Sequence, residues 1–228
     1  MKQMIKTKKQ GLLVVISGPS GCGKNTVVEE LLKIRKNCYV SISYTSRLPR
    51  DKEIEGQDYY FVTKEKFEEL IEKDAFLEYA SYADHYYGSP KKEIKEHLDQ
   101  GEDVILIIEI QGALKIKEKL DETVFIFIMP PTMDELKRRL VNRKTEDQEK
   151  IDKRFKRAYE EINEVSKYNY VVVNDQIEDA AKKIDAILEA ERCRVDRIEE
   201  VYLQTKEEES HEAILQDVKT FINENIKF

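Results

Sequence analysis

The chain contains 228 residues, with 39 lysines and arginines, 46 aspartates and glutamates, and a formal net charge of −7. This length suits one compact α/β domain with at most a small insertion. The acidic balance, with a pI near 5.3, excludes a general nucleic-acid-binding protein, which needs a basic excess. The 12 tyrosines and 8 phenylalanines exclude the aromatic-poor composition of a disordered chain.

The cysteines and the apolar runs indicate in which cellular compartment the protein lies. Three scattered cysteines, Cys22, Cys38 and Cys193, predict neither a disulfide framework nor a zinc site. The first ten residues carry four lysines but no apolar core of signal-peptide length. The longest apolar runs have the length of strands and are far too short for a membrane span. We therefore predict a soluble, cytoplasmic protein without a membrane or nucleic-acid partner.

The first half of the chain is rich in turns, since all 8 glycines lie at or before Gly112 and all 5 prolines at or before Pro131. Its apolar pattern predicts strands at 12–17, 39–44 and 59–62, a hairpin of 76–82 with 85–87, and helices at 24–35, 66–73 and from residue 90 to about 100. Thr63 is expected to cap the second of these helices. Ser89 is expected to cap the third, with Pro90 at its first helical position.

The second half alternates between strands and longer helices. The predicted strands lie at 104–109, 124–129 and 170–174, and the predicted helices at 133–141, 152–167 and 177–197. This alternation predicts an α/β fold with a parallel sheet covered by helices on both faces, in which 104–109 is a central strand. The antiparallel pattern from 39 to 87 predicts an inserted lobe.

A glycine-rich segment joins the first strand to the first helix, which is the context of a phosphate-binding loop. Its glycines let backbone N–H groups turn toward phosphate oxygens, the helix N-terminus adds partial positive charge, and Lys24 supplies a cation. Asn25 stands where the strict pattern has serine or threonine, so Thr26 is the better magnesium-side candidate. We interpret Cys22 as a space-filling residue rather than a reactive thiol. The loop predicts binding of a nucleoside triphosphate such as ATP through Gly18, Pro19, Ser20, Gly21, Cys22, Gly23, Lys24, Asn25 and Thr26.

A second basic segment lies further along the chain. Arg47 and Arg50 bracket a proline-stiffened turn, and two guanidinium groups there could grip one phosphate bidentately. Downstream, Tyr59 and Tyr87 offer hydroxyl groups and Glu78 offers a pair of acceptor oxygens. Each of these residues on its own is more typical of strand packing or of a solvated surface, so both interpretations stay open at this point.

In this order along the chain, the two segments closely resemble the guanylate kinase family, over roughly residues 11–192. The resemblance implies an enzyme of purine nucleotide metabolism that uses Mg²⁺ and moves the γ-phosphoryl group of ATP to GMP, giving ADP and GDP. It implies a P-loop fold with a mixed β/α GMP-binding lobe and a helical lid. The implied division of residues 1–193 is a core at 11–38, 90–136 and 156–193, a GMP-binding lobe at 39–89 and a lid at 137–155, followed by a charged helical extension at 194–228.

The resemblance also implies roles for single residues. Glu78 resembles the carboxylate that accepts from guanine N1–H and N2–H₂, an arrangement of donors that adenine lacks. Glu109 resembles the acidic residue at the end of the central strand, and with Thr26 it is expected to anchor Mg²⁺ directly or through water. Asn174 resembles a residue that frames ATP. The implied GMP contacts are Ser43, Arg47, Arg50, Tyr59, Glu78, Tyr87, Gly88, Ser89 and Glu109, and the implied catalytic cations are Lys24, Arg47, Arg139, Arg143 and Arg154.

Three places depart from the family's pattern. Ile107 occupies the first of two acidic positions, residues 142–144 read Asn-Arg-Lys in place of Gly-Arg-Gly, and Asn25 replaces the more usual serine or glycine. None of them removes a phosphate-gripping cation, so we expect an active kinase. The alternatives are a non-catalytic guanylate kinase-like binding module and a kinase for another phosphorylated small molecule. Whether the chain is a monomer or a homodimer, and what its extension does, stay open.

Overall fold

The computed structural model describes residues 5–7, 10–82, 84–141 and 148–201. The chain divides into two compact units, one of Lys9–Arg192 and one that joins Met1–Lys8 to Cys193–Phe228. All the site residues predicted above belong to the first unit. None of the helices in the described ranges is both long enough and apolar enough to cross a lipid bilayer.

Short strands and amphipathic helices alternate along the described chain. The strands are β1 (Ile5–Thr7), β2 (Leu13–Ser17), β3 (Cys38–Val40), β4 (Tyr44–Thr45), β5 (Tyr60–Phe61), β6 (Phe76–Tyr82), β7 (His85–Pro90), β8 (Asp103–Ile107), β9 (Val124–Met129), β10 (Tyr170–Val173) and β11 (Ile198–Val201). The helices are α1 (Lys24–Ile34), α2 (Lys64–Glu72), α3 (Lys91–Asp99), α4 (Ile110–Lys117), α5 (Met133–Val141), α6 (Gln148–Ile162) and α7 (Ile177–Arg192), with 3₁₀ segments at Asn163–Lys167 and Val195–Arg197.

Five of the described strands form a parallel sheet in the order β10–β9–β2–β8–β3. Strand β2 is at its centre, since Val14 is level with Ile105 on β8 and with Val124 on β9. Successive side chains of β2 face opposite ways: Val14 and Ile16 pack with α1 and α7, and Val15 packs with α3 and α4. The predicted sheet with helices on both faces is confirmed.

A smaller mixed sheet, in the order β5–β4–β7–β6, is inserted between β3 and α3. Strand β4 pairs in parallel with β5 and antiparallel with β7, and β6 forms a hairpin with β7. The prediction of one strand over 39–44 is wrong, because the chain changes sheets there. The Ser41 amide still bonds to the carbonyl oxygen of Ile105 in the parallel sheet, whereas Tyr44 pairs with Gly88 in the mixed sheet.

The start of α3 also differs from its prediction. Pro90 is the N-cap residue, with a ψ of 118°, and Lys91 is the first helical residue. Ser89 does not cap the helix, because it lies in β7 and its hydroxyl donates to Glu78 Oε1 at 2.8 Å. The Ser89 side chain therefore forms its hydrogen bond inside the lobe and not at the start of α3.

Helix α4 was not predicted from the sequence. It has eight residues, too few for a clear period, and Gly112 lies inside it, where glycine normally weakens a helix. Burial of Ile110, Ala113 and Ile116 compensates for that weak propensity. The helix begins directly after the Glu109 N-cap and so covers the end of β8.

The second half departs from prediction mainly at element ends. Helix α6 begins earlier than predicted and passes into a 3₁₀ segment at Asn163–Lys167, and α7 ends at Arg192 rather than at 197. In the other unit, β1 pairs antiparallel with β11, so residues 198–201 form a strand and not the start of a helical extension. Their β-branched residues favour strand pairing. Residues 202–228 lie outside the described residues, and the helix prediction there stays a prediction.

Candidate functional site

The loop between β2 and α1 needs glycine at three positions. Gly18, Gly21 and Gly23 have φ of +148°, +88° and +89°, where side-chain-bearing residues are strained. An added Cβ would also lie 2.2 Å from the carbonyl oxygen of Ile128 at Gly18, and 2.5 Å from Asn174 Nδ2 at Gly23. The loop therefore turns tightly into α1, whose first N–H groups have no helical partner and can receive an anion.

Lys24 and Asn174 hold this loop from two sides. Lys24 Nζ donates to the carbonyl oxygens of Gly18 at 2.6 Å and of Pro19 at 3.4 Å. The buried Asn174 side chain donates from Nδ2 to the carbonyl oxygen of Cys22 at 2.8 Å. Lys24 and Asn174, two predicted ATP-binding residues that are far apart in the sequence, thus meet at this loop.

Cys22 is a packing residue in this loop. Its side chain is fully buried and packs within the core cluster that contains α1 and α7. Burial raises the pKa of its thiol above the ordinary value, although the nearby Lys24 acts in the opposite direction. These observations favour the space-filling interpretation over a reactive thiol.

Arg139 is brought to the loop by α5. Its Nη1 and Nη2 donate to the carbonyl oxygens of Cys22 at 3.5 Å and of Asn174 at 3.2 Å. Its Nε pairs with Glu135 Oε1 at 2.7 Å, one turn earlier on the same helix. Of the other predicted lid arginines, Arg143 lies outside the described residues and the side chain of Arg154 is not described.

The predicted acceptor-phosphate site is built around Arg47 in the mixed-sheet lobe. Its Nη1 and Nη2 pair with Glu53 Oε2 and Oε1 at 2.9 and 3.0 Å. Glu53 Oε2 also accepts from the backbone N–H of Arg50 at 2.7 Å. The hydrogen bonds from Arg47 lower the pKa of Glu53 and keep it ionised. One carboxylate thus holds both ends of the basic turn, a role for Glu53 that the sequence analysis missed.

The terminal nitrogens of Arg47 are engaged by this pairing, and Nη1 also donates to the carbonyl oxygen of Leu48 at 2.7 Å. Within the described residues, Arg47 Nε is buried and has no hydrogen-bond partner. The guanidinium carbon lies 5.4 Å from the ring centre of Tyr59, whose ring meets that of Tyr87 edge-on at a centroid distance of 5.9 Å. The lobe therefore brings Arg47, Tyr59 and Tyr87 together, and their predicted shared role at a phosphate stays a prediction.

A buried carboxylate lies in the hairpin of β6 and β7 in the same lobe. Glu78 on β6 is 6% exposed, stands opposite Ser89 of β7, and accepts the Ser89 hydroxyl at 2.8 Å. Burial raises the pKa of Glu78 above its ordinary value. Its Oε2 faces Gly112 of α4, where an added Cβ would lie only 2.5 Å away. Gly112 is thus a second site-forming residue that the sequence analysis missed.

Ser43 and Gly88, two of the predicted GMP contacts, have structural roles in the lobe. The carbonyl oxygen of Ser43 accepts from the Tyr60 N–H at 3.0 Å, which joins β4 to β5. Gly88 lies where an added Cβ would be 2.9 Å from both Phe67 and Phe76, so packing alone requires glycine there. Neither observation tests the predicted contact of these residues with a nucleotide.

Oxygen ligands suited to a divalent cation flank the phosphate loop. Thr26 is exposed in the first turn of α1, and the Glu109 side chain, at the N-cap of α4, is 42% exposed. The described residues contain no group of three or more histidine, cysteine, aspartate or glutamate side chains able to hold a metal by themselves. One hydroxyl and one carboxylate fit Mg²⁺, which takes one or two protein ligands together with phosphate oxygens and water.

Comparison with known proteins identifies the family. The sequence model described as guanylate kinase matches residues 10–191. The chain belongs to the guanylate kinase family. It is 56% identical over 201 residues to the guanylate kinase of Caldanaerobacter subterraneus subsp. tengcongensis, a match that covers 88% of this chain and 98% of that protein. It is 53% identical over 214 residues to the guanylate kinase of Clostridium perfringens, covering 94% of this chain and 99% of that protein.

A solved structure supports the same assignment. The crystal structure of guanylate kinase from Anaplasma phagocytophilum superposes with a TM-score of 0.72 at 38% identity, covering 86% of this chain and 93% of that chain. The predicted family and its phosphate-loop α/β fold are therefore confirmed. Near-complete coverage by proteins named guanylate kinase disfavours both the non-catalytic binding module and a kinase for a different acceptor.

Proposed function

We propose that this guanylate kinase family member transfers the γ-phosphoryl group of ATP to GMP, giving ADP and GDP. The observation that carries the proposal is the buried carboxylate of Glu78, held by Ser89 in the lobe that also contains Arg47. Guanine offers N1–H and N2–H₂ side by side, and a carboxylate can accept from both. Adenine lacks that pair of donors, so binding adenine would leave a buried charge unpaired.

On the acceptor side, Arg47, Arg50, Tyr59 and Tyr87 bind the phosphate of GMP. Arg47 contributes its unpaired Nε edge, because Glu53 occupies the opposite edge of the guanidinium. The two tyrosine hydroxyls add neutral donors to the same oxygens. Ser43, Gly88 and Ser89 complete the GMP site around Glu78, and Glu109 borders it from the core.

On the ATP side, the backbone of residues 18–26 surrounds the β- and γ-phosphates. Lys24 exchanges the carbonyl oxygens of Gly18 and Pro19 for phosphate oxygens, which are stronger acceptors for an ammonium group. Asn174 Oδ1 is buried without a hydrogen-bond partner among the described residues, so it is an acceptor left for the nucleotide.

Phosphoryl transfer depends mostly on alignment and charge neutralisation, since the transferred group is metaphosphate-like. Arg139 already lies against the loop, and it neutralises charge that develops on the transferred group together with Arg143 and Arg154. Excluding water from this cluster limits hydrolysis of ATP. Arg47 holds the acceptor oxygen in line with the group to be transferred.

Thr26 and Glu109 would hold Mg²⁺ directly or through water. When bound with ATP, the metal supplies charge neutralisation at the β- and γ-phosphates. We also place the protein in the cytoplasm, since Cys22, Cys38 and Cys193 are all free thiols and a reducing compartment keeps them so.

A coupled assay of ADP release with ATP and Mg²⁺ tests the proposed function, with GMP run beside AMP, CMP and UMP. Turnover that depends on GMP and is weak with the other three nucleotides is expected. Lys24→Ala should lower kcat by about a hundredfold or more and change the KM for GMP far less. Lys33→Ala is the matched control, because Lys33 is 68% exposed in the last turn of the same helix. Equal turnover with AMP and GMP would overturn the assignment of guanine recognition.

A further inference from the structure

Helix α6 contacts the phosphate loop through a buried carboxylate. Glu161 in its last turn is 9% exposed, and Glu161 Oε2 accepts from the backbone N–H of Ser20 at 3.3 Å. Glu161 Oε1 accepts from Arg157 Nε at 2.8 Å, one turn earlier on α6. A buried carboxylate is tolerated only when it is paired and hydrogen-bonded, and these two donors from two elements meet that need.

The other edge of Arg157 approaches the end of a neighbouring strand. Its Nη2 lies 3.8 Å from Glu109 Oε2. Glu109 follows β8, Ser20 follows β2, and these two strands are adjacent in the sheet. One guanidinium on α6 therefore lies between two carboxylates, and the pair ties the helix to two adjacent strand ends.

Three side chains hydrogen-bond to the backbone of the phosphate loop, at residues 18, 20 and 22. Its glycines with positive φ provide little conformational restraint of their own, so outside contacts must supply it. The contacts are Lys24 Nζ with the Gly18 carbonyl oxygen, Glu161 Oε2 with the Ser20 amide, and Asn174 Nδ2 with the Cys22 carbonyl oxygen. Of these three side chains, Glu161 is the one on α6, the helix that also carries the predicted lid residue Arg154.

We propose that Glu161 and Arg157 are a positioning pair for the ATP side of the site. Glu161 holds the phosphate loop at Ser20. Arg157 pairs with Glu161 and lies close to Glu109, so it fixes the position of both carboxylates relative to α6. The inference rests on the proposed function, because it takes the loop to be the ATP site. An ordinary exposed pair at this helical spacing would not bury its carboxylate or accept an amide from another element.

Steady-state kinetics on the full chain test the role of Glu161. Glu161→Ala should raise the KM for ATP at least tenfold and leave the KM for GMP within about twofold. Glu161→Gln keeps an oxygen that can accept from Ser20, so it should retain more of the ATP affinity. It also serves as the folded variant if the alanine protein is unstable. Equal changes in both KM values, in step with lost thermal stability, would reduce Glu161 to a structural residue and overturn the proposal.

The role of Arg157 is tested by a double-mutant cycle. Arg157→Ala should also raise the KM for ATP, Arg157→Lys should recover part of it, and combining Arg157→Ala with Glu161→Ala should add little to Glu161→Ala alone. Losses that multiply would mean that the two residues act separately. Lys95→Ala is the matched control, since it removes an exposed helical ion pair with Asp99 on α3. It should change neither KM.

Titration of ADP in the absence of GMP separates this inference from the proposed function. It reports on the ATP side of the site without the GMP side and needs no turnover. If the unmodified chain binds ADP but does not phosphorylate GMP, the proposed function fails and the pair is still tested. Weaker ADP binding by Glu161→Ala supports the pair, and an affinity equal to that of the unmodified chain overturns it.

Discussion

Two carboxylates in the mixed-sheet lobe serve different roles because their surroundings differ. Glu53 faces the Arg47 guanidinium, which lowers its pKa and keeps it a fixed anion. Glu78 faces a hydroxyl in an apolar interior, and burial raises its pKa. In the proposed function, the first carboxylate orients a cation for a phosphate, and the second presents acceptor oxygens to a base.

Glu53→Ala should weaken GMP binding selectively. Without the carboxylate, Arg47 loses its two hydrogen bonds to Glu53. The KM for GMP should then rise about tenfold, in line with the roughly 1.5–3 kcal/mol of a charge-assisted hydrogen bond. Steady-state kinetics with each substrate varied in turn measures this. Asp51→Ala, an exposed acid in the same loop, is the control. A lower KM for GMP would show instead that Glu53 competes with the phosphate.

In the proposed function, the raised pKa of Glu78 makes guanine binding depend on pH. Only the ionised carboxylate accepts from both guanine donors, so the KM for GMP should rise as pH falls toward and through that pKa. Glu78→Gln should have a higher KM for GMP throughout and lack this dependence. The KM for ATP over the same pH range is the internal control. A GMP profile that is unchanged in Glu78→Gln would assign the titration to another group.

Stability should respond to Glu78 in the opposite direction. A buried acid with a raised pKa contributes stability below its unfolded-state pKa and loses it as pH rises through the folded-state pKa. Glu78→Gln should therefore have a larger free energy of unfolding than the unmodified chain at neutral pH, measured by denaturant titration. The difference should shrink in acid. A constant difference across pH would mean that packing, not ionisation, is responsible.

At the scale of elements, the proposed GMP site depends on how closely α4 approaches β6. The helix passes over Glu78 at Gly112, and the contact between the two elements is possible only because no side chain stands there. This explains a glycine inside a helix that would otherwise gain about 0.8–1 kcal/mol from alanine. The proposed function and helix propensity therefore favour different residues at this position.

Gly112→Ala tests that conflict directly. The new Cβ would lie 2.5 Å from Glu78 Oε2 and 3.1 Å from Cδ, so the carboxylate must shift. We expect the KM for GMP to rise about tenfold and the preference for GMP over AMP to fall, as measured in the coupled assay. Gln111→Ala, an exposed neighbour on the same helix, should change neither. A more stable protein with an unchanged KM for GMP would contradict this account.

At the scale of the main unit, the candidate site and a buried ion cluster around Asp103 lie at opposite ends of the parallel strands. Asp103, at the start of β8, is fully buried. It accepts from Arg35 Nε at 2.9 Å, from Arg192 Nη2 at 2.6 Å and from the Leu12 amide at 2.9 Å. This carboxylate joins the ends of α1 and α7 to the segment before β2, so it stabilises the scaffold without touching the site.

Asp103→Ala should therefore lower stability and spare catalysis. It removes one of the three carboxylates paired with Arg35 and takes the buried acceptor from Arg192 and from the Leu12 amide. The free energy of unfolding should fall by about 3–5 kcal/mol. Denaturant and thermal unfolding measure this, and the KM values should stay unchanged where the protein is folded. Asp185→Ala removes a 37% exposed partner of Arg35 and should cost about 1 kcal/mol or less. Similar losses from both variants would remove Asp103 from its central role.

Local patterns predicted much of this fold. The strand at 124–129 and the helix at 133–141 match β9 and α5, and the phosphate loop lies where its glycines and Lys24 indicated. Failures occurred where a distant contact overrode a local signal. Ser89 has the chemistry of a helix cap, but its hydroxyl bonds to Glu78 on the paired strand. The predicted strand over 39–44 divides because two sheets compete for it.

By itself, the sequence determined the family, the phosphate loop and the alternation of strands and helices. These follow from neighbouring residues: glycines that permit positive φ, a lysine at a helix start, and apolar periods of two and 3.6. Only the tertiary structure decided that Glu53 orients Arg47, that Gly112 makes room for Glu78, and that Glu161 holds Ser20. The physical reason is that the last two contacts join separate elements and the first depends on how a turn folds back, geometry that packing sets and that no local pattern in one sequence specifies.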